Sequence, residues 1–265
     1  MSGTILSSSP ACPDAILTLA VRGESVRAVL LDIEGTTTPL DFVSKVLFPY
    51  AQSHARQFLA QHLSSSEVRN DILELRKEND SDMRKGLNPP SFRGGTPQEE
   101  LESVITYLDW LMERDRKATP LKSLQGKIWE EGYRRGQLRS QVFDDVPRAL
   151  ERWKKQERGI CIFSSGSVLA QKLLFSHTTA GDLTPYISHY FDTITGSKID
   201  SDSYEKIARA LQRLHSEVVF ISDAISELDA GRSAGMQTLL CWRPGNRPQP
   251  PSTHARIQTF DEVLP

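Results

Sequence analysis

Three short apolar runs constrain this chain more than anything else in it: Val26 to Leu31, Gly159 to Phe163, and Val218 to Ile221. A strand buried on both faces of a parallel sheet shows such a near-continuous apolar run rather than an alternation. The first run ends at Asp32, the second leads into Ser164, Ser165 and Gly166, and the third into Ser222 and Asp223. Helical stretches follow the second and third, over 167–176 and 226–234, and Thr238 to Trp242 adds a further strand. Strand alternating with helix implies the α/β class, a doubly wound, mainly parallel sheet whose ligands bind beyond the carboxyl ends of its strands. The three polar groups are therefore expected at one edge.

Between the first and second runs the texture changes, and no convincing strand occurs. Thr96-Pro97-Gln98-Glu99 is a capping box with Pro at the first helical position, and Leu101, Val104, Ile105, Leu108, Leu111 and Met112 then recur at helical spacing. Thr119-Pro120 opens another helix with Leu121, Leu124 and Ile128 on one face. Residues 42–63 and 66–77 also read as helical, with Pro49 expected to kink or split the first. The polar stretch 78–95, with Asn88-Pro89-Pro90 and Gly94-Gly95, reads as a mobile loop. The expected organisation is a flexible leader over 1–25, an α/β catalytic core over 26–41 and 142–265, and an inserted α-helical cap over 42–141.

A length of 265 residues suffices for a core with a smaller insert. Lys plus Arg total 32 against 34 for Asp plus Glu, so no global field draws the chain to nucleic acid or to an anionic membrane. The basic group Arg114, Arg116, Lys117, Lys122, Lys127, Arg134, Arg135 and Arg139 reads as a solvated face, since it lacks the interleaved aromatics of a nucleic-acid surface. Cys12, Cys161 and Cys241 are odd in number and widely spaced, which argues against a disulfide framework or a zinc knuckle and for a reducing compartment. The N-terminus lacks the basic region of a secretory signal, and no run approaches the ~20 apolar residues of a membrane span. Cytoplasm is the expected location, with the nucleus as a second compartment.

The segment Asp32-Ile33-Glu34-Gly35-Thr36-Thr37 sets two carboxylates just past a strand. Phosphoryl transfer needs one carboxylate as nucleophile and a second acidic group to protonate the departing oxygen and then activate water. A carboxylate approaching a phosphate is repelled by roughly 1 kcal/mol per charge pair at about 4 Å in water, and by about 4 kcal/mol at a site-like dielectric. Positive charge is therefore required. Asp223 is placed to join Asp32 around a magnesium ion, and Lys198, after the turn at Gly196-Ser197, to supply a second positive charge. Ser164, Ser165 and the Gly166 amide suit the transferring phosphoryl oxygens. Each element alone has a plainer explanation: helix caps for Asp32, Ser164, Ser165 and Asp223, a solvated lysine for Lys198. Their order at the ends of successive strands is what favours chemistry.

The four-part pattern of Asp-x-x-Gly-Thr, Ser-Gly, a lone Lys and Ser-Asp resembles the haloacid dehalogenase superfamily. Glu34 stands where most of its phosphatases carry a second Asp. That substitution, with Leu30 to Pro39, Phe48-Pro49-Tyr50, Ser164 to Phe175, Ser203 to Ala208 and Arg243-Pro244-Gly245-Asn246, is similar to acireductone synthase, the enolase-phosphatase family of methionine salvage. The resemblance covers about 26–250. It implies enolisation and then dephosphorylation of 2,3-diketo-5-methylthiopentyl 1-phosphate to an acireductone, with an aspartyl-phosphate on Asp32. It further implies one Mg2+ per subunit held at Asp32, Glu34 and Asp223, substrate contacts from Ser164, Ser165 and Lys198, catalysis by Asp32 and Glu34, and a monomer. The stretch Lys198 to Ser203 departs by carrying Asp where relatives commonly show Glu, and Ser222 stands where Thr is common. The enolisation base stays open, because Glu34 has the reach to serve the leaving oxygen, the acidic carbon or the metal. Two rivals remain: another phosphomonoesterase of the same superfamily, and a phospho-accepting receiver domain, whose chain order differs.

Overall fold

The computed structural model describes residues 23–265. Most of the expected leader, and Cys12 with it, lies outside the described residues; Gly23–Ser25 form a single 3-10 turn. The chain divides into two compact units.

The first unit comprises residues up to Thr38, Phe143–Ser164 and Pro185–Pro265. It holds a six-stranded sheet: β1 Ala28–Leu31, β2 Gly159–Phe163, β3 His189–Phe191, β4 Val218–Ser222, β5 Gln237–Cys241 and β6 Ala255–Ile257, in the order β3-β2-β1-β4-β5-β6. Every pairing is parallel. The expected fold class is thus present, and central β1 is buried at all four positions, as its apolar run requires. Leu31 lies opposite Ile162 on one side and Ile221 on the other, so Asp32 and the residues after β2 and β4 emerge level at the carboxyl edge.

Leu30, Cys161, Phe163, Tyr204, Ile207, Phe220 and Leu228 form the packed cluster against one face. Each such side chain, fully buried, stabilises the fold by about 1.5–3 kcal/mol. Another helix, Asp145–Lys155, buries Val146, Ala149, Leu150 and Trp153, and the Trp153 indole donates to the Val263 carbonyl at 3.0 Å. This helix, the helix Ser201–Ala210, β3 and β6 have no counterpart in the sequence reading. Cys161 and Cys241 are buried in strands, and burial pushes their thiols up to about 11 and about 12.

The second unit comprises Pro39–Val142 and Ser165–Thr184 and is helical. The sequence reading kept 142–265 together, whereas Ser165–Thr184, with the helix Val168–Ser176, groups here with the helices. The expected split at Pro49 takes a specific form. A turn at Leu40–Phe42 widens into a π-helix over Val43–Leu47 before the α-helix Phe48–His62. The Phe48 amide reaches back to the Val43 carbonyl, and Pro49, with no N–H, cannot continue an α-helical ladder to Lys45.

The next helix runs Ser66–Arg84, so the first part of the expected 78–95 loop is helical. Burial explains the extension: Asp82 is fully buried, accepts the Tyr107 hydroxyl at 2.8 Å and pairs with Arg116 at 2.9 Å, while Glu78 pairs with Arg116 at 2.9 Å. Polar residues that looked like a loop are instead the inward face of a helix. Arg116 correspondingly leaves the solvated basic face. Asp82→Ala strands a buried phenol and half of a guanidinium, and we expect it to destabilise the protein by on the order of 3 kcal/mol in urea unfolding.

The capping box appears as expected on the helix Pro97–Glu113, with the Thr96 amide donating to Glu99 at 2.8 Å and the Glu99 amide to the Thr96 hydroxyl at 3.3 Å. In the helix Thr119–Arg134, Trp129 donates to the Leu47 carbonyl at 2.8 Å and Tyr133 shares a hydrogen bond with Ser140 at 2.6 Å. Both aromatics are packing residues. His177 stacks on Tyr133 at 4.8 Å and is structural too. Among the described residues no helix is long and apolar enough to cross a membrane.

Candidate active site

Asp32 is the first residue past β1, its amide still donating to the Ile221 carbonyl at 3.0 Å as the pairing with β4 continues. The chain then folds back at once: the Thr36, Thr37 and Thr38 amides all reach the Ile33 carbonyl within 3.2 Å, and the Gly35 amide reaches the Thr38 carbonyl at 2.8 Å. Gly35 holds this turn at φ 73°, a left-handed conformation that glycine adopts without penalty. An added Cβ would run into the Asp223 carboxylate. Gly35→Ala is therefore expected to cost about 1–3 kcal/mol in backbone strain and to displace Asp223, with turnover falling more steeply than the unfolding temperature.

The Lys198 ammonium, 9% exposed, ion-pairs with Asp32 and, at 2.6 Å, with Glu227. It arrives on the loop after β3, where the Tyr204 hydroxyl donates to the Lys198 carbonyl at 2.6 Å and the Ser203 hydroxyl to the Ser197 carbonyl at 2.7 Å. Thr36 donates to the other Asp32 oxygen at 3.3 Å. Burial lowers the Lys198 pKa, but Asp32 and Glu227 outweigh it and the net shift is upward. This lysine is a buried cation paired with two carboxylates, not a solvated one.

Asp223 follows β4. The helix Ile225–Ser233 takes Ala224 as its N-cap without a side-chain bond, so Asp223 does not cap it. Burial raises the Asp223 carboxyl to about 7, with added repulsion from Asp32 and Glu227 and a smaller contribution from Glu34. Glu227 is raised as well, by burial first and then by Asp32, against the pull of Lys198. Ser222 holds Glu227 with a hydroxyl bond of 2.9 Å. Within the first unit, then, Asp32, Lys198 and Asp223 come together as expected, with Glu34 on the same turn as Asp32.

Ser164 is buried at the end of β2, its amide donating to the Phe191 carbonyl at 3.1 Å. Ser165 belongs to the helical unit, where the Lys122 ammonium donates to its carbonyl at 2.9 Å and Gln171 donates to the Gly166 carbonyl at 2.9 Å. Glu227 has no place in the sequence reading, although Asp223-x-x-x-Glu227 sets two acids one helical turn apart at a strand end. Among the described residues, no three His, Cys, Asp or Glu side chains form a ready-made metal cage.

A buried carboxylate paired with a buried cation, with further acids beside them, is an arrangement suited to phosphoryl transfer, and residues 26–235 match the model of the haloacid dehalogenase-like hydrolases. The chain belongs to that family. Within the haloacid dehalogenase-like hydrolases it is similar to Enolase-phosphatase E1 of Synechococcus elongatus, 47% identical over 90% of this chain and 98% of that protein. Enolase-phosphatase E1 of Drosophila grimshawi is 43% identical over 87% of this chain and 92% of its own. Among solved structures, the UTR4 protein of Saccharomyces cerevisiae superposes with a TM-score of 0.71 at 33% identity, covering 89% of this chain and 99% of that one.

Proposed function

We propose that this haloacid dehalogenase-like hydrolase is the enolase-phosphatase of methionine salvage. In this reading it converts 2,3-diketo-5-methylthiopentyl 1-phosphate to 1,2-dihydroxy-3-keto-5-methylthiopentene and phosphate. The observation that carries the chemistry is the buried ion pair between Asp32 and Lys198 beside two acids of raised pKa. Similarity along nearly the whole length of the Enolase-phosphatase E1 proteins supports the substrate.

Asp32 is the nucleophile in this proposal. An Asp32 oxygen forms a bond to phosphorus, the bond from phosphorus to the enol oxygen breaks, and that oxygen takes a proton from Glu34. Water then attacks phosphorus and gives a proton to Glu34, the bond to Asp32 breaks, and phosphate leaves. Lys198 screens the approach of one anion to another, while Ser164 and Ser165 donate to the phosphoryl oxygens. Enolisation precedes this in the same reading: Glu34 takes the C1 proton and so becomes the acid of the next step, the C2 oxygen takes a proton from solvent, and Glu34 returns one to solvent after the water step. The domain assignment is likewise proposed: catalysis from 26–41 and 142–265, and a cap from 42–141.

One Mg2+ per subunit fits the residues present. Asp32, Glu34, Asp223 and Glu227 outnumber the single Lys198, and burial, with repulsion from Asp32 and Glu227 that Lys198 only partly offsets, raises the Asp223 pKa. Mg2+ binds carboxylate oxygens together with substrate phosphate oxygens and water, so a closed protein cage is unnecessary. Asp32, Glu34 and Asp223 would hold it, and when bound it supplies charge neutralisation for phosphoryl transfer. A monomer of the cytoplasm, with a nuclear pool, that engages neither nucleic acid nor membrane completes the proposal.

Turnover of the diketo phosphate, followed by ultraviolet absorbance of the enol and by phosphate release, tests the substrate. Both signals should depend on Mg2+ and exceed those with generic sugar phosphates. Equal rates on sugar phosphates would favour a broader phosphomonoesterase.

A further inference from the structure

The loop after β5, Arg243-Pro244-Gly245-Asn246, takes no part in the chemistry above, yet two of its side chains end on the turn that follows Asp32. Arg243 is 2% exposed and sits between the rings of Phe143 and Phe260, 4.5 and 4.6 Å from their centroids. Its Nε donates to the Thr36 carbonyl at 3.1 Å, and its Nη1 donates to Asp145 and to the Gln258 carbonyl, each at 2.9 Å. The loop closes with the Asn246 amide donating to the Arg243 carbonyl at 3.1 Å. That turn aims the Asn246 side chain: Nδ2 donates to the Gly35 carbonyl at 2.9 Å, and Oδ1 lies 3.1 Å from where a Gly35 Cβ would stand, a position the Asp223 carboxylate also crowds. The Phe143 amide donates to the Thr37 carbonyl at 3.0 Å. Three consecutive carbonyls, at 35, 36 and 37, are thus each held from outside the turn.

The two side chains differ in what they hold. Arg243 is part of the buried framework, paired with Asp145 and stacked between rings. Asn246 is half-buried and donates to the Gly35 carbonyl and, at 3.4 Å, to the Cys241 carbonyl. Asp32 is held three ways, by β-pairing, Lys198 and Thr36. Glu34 lies past the strand, partly exposed, and directly precedes Gly35 on the same turn.

We propose that Asn246 is a positioning residue for the acid–base half of the reaction, fixing the Gly35 peptide and through it the Glu34 carboxylate relative to Asp32. The proposal rests on the assignment of Asp32 as nucleophile and Glu34 as acid–base group. On p-nitrophenyl phosphate, whose leaving group departs without a proton, loosening Gly35 should then leave the attack of Asp32 on phosphorus less affected than the water step that Glu34 serves. A misplacement of about 1 Å is enough to cost on the order of a hundredfold in rate.

The test compares the full-length chain with its Asn246→Ala and Asn246→Asp variants, with Mg2+, on the diketo phosphate and on p-nitrophenyl phosphate. Each is measured for kcat, KM, acid-quenched phosphoenzyme and thermal unfolding. Asn246→Ala is expected to lower kcat about 10–100-fold on both esters and, on p-nitrophenyl phosphate, to raise the steady-state fraction of phosphoenzyme and lower KM with it. Asn246→Asp, which cannot donate to Gly35 and sets a negative charge near Asp223, should be slower still. An unchanged kcat would overturn the proposal, as would a fall matched by loss of folded protein without phosphoenzyme build-up, or an Asp variant as active as the parent. A parent chain that forms no phosphoenzyme on either ester defeats the underlying mechanism and the positioning role together. A parent active only on p-nitrophenyl phosphate defeats the substrate assignment alone, and the Asn246 comparison on that ester still decides.

Discussion

Asp32→Asn should abolish phosphate release, lowering kcat by at least about a thousandfold, while leaving a folded protein. Asparagine keeps the shape of the side chain, an oxygen to accept from Lys198 and an amide NH2 that can donate to the Thr36 hydroxyl, but it cannot form the acyl phosphate. Removing the Asp32 charge also relieves the repulsion that raises Asp223 and Glu227. Lys198 keeps Glu227 as a partner at 2.6 Å. Activity and stability should therefore separate: near-zero turnover with an unfolding midpoint close to that of the parent. A comparable loss of both would mean that Asp32 is chiefly a structural anchor for Lys198.

Lys198→Met is expected to do the opposite and damage both at once. It leaves Asp32 and Glu227 buried with no cation, and breaking a buried pair by removing one partner costs about 3–5 kcal/mol. In the metal-free protein this cost should depend on pH in a defined direction. Asp223 and Glu227 have folded-state pKa values raised above the ordinary carboxylate range, to about 7 for Asp223. A carboxyl group raised in the folded state favours folding while protonated in both states, and that contribution is lost as pH rises from the ordinary carboxylate range through the folded value. Removing Lys198 raises both groups further, so the deficit of the variant should be largest near pH 8 and shrink toward pH 5. Urea unfolding at the two pH values measures this directly. A deficit that grows toward acid would show that Lys198 does not stabilise these carboxylates.

The parts of this arrangement that could be read from the chain are those where one local rule dominates. β1, β2 and β4 are buried on both faces, so each reads as an apolar run ending at the residue it delivers, and Asp32, Ser164 and Asp223 follow from that. The capping box at Thr96 and Glu99 is a contact between near neighbours, and it holds. The 78–84 segment misled because Glu78 and Asp82 satisfy their charges on Arg116 and Tyr107, distant partners that polar composition alone does not reveal. β3 and β6 are three-residue edge strands, defined by pairing with β2 and β5 rather than by their own pattern. The helix Asp145–Lys155, by contrast, carried a legible stripe in Val146, Ala149, Leu150 and Trp153.

Glu227 and Asn246 went unassigned for a related reason: each acts on a residue from another stretch of chain. Glu227 matters because Lys198 crosses from the β3 side of the sheet to reach it. Asn246 matters because the turn after β5 folds against the turn after β1. Neither side chain has a distinctive local setting, and only the parallel order that puts β1 between β2 and β4, with β5 beyond, gives them their roles.

The most direct test of the central claim is acid quenching of the parent enzyme during turnover of the diketo phosphate, followed by peptide mapping with mass spectrometry. The account predicts a phosphoryl group on Asp32 that is lost with hydroxylamine and never forms in Asp32→Asn. Full turnover with no covalent phosphate at that residue, or with the phosphoryl group on another side chain, would contradict it.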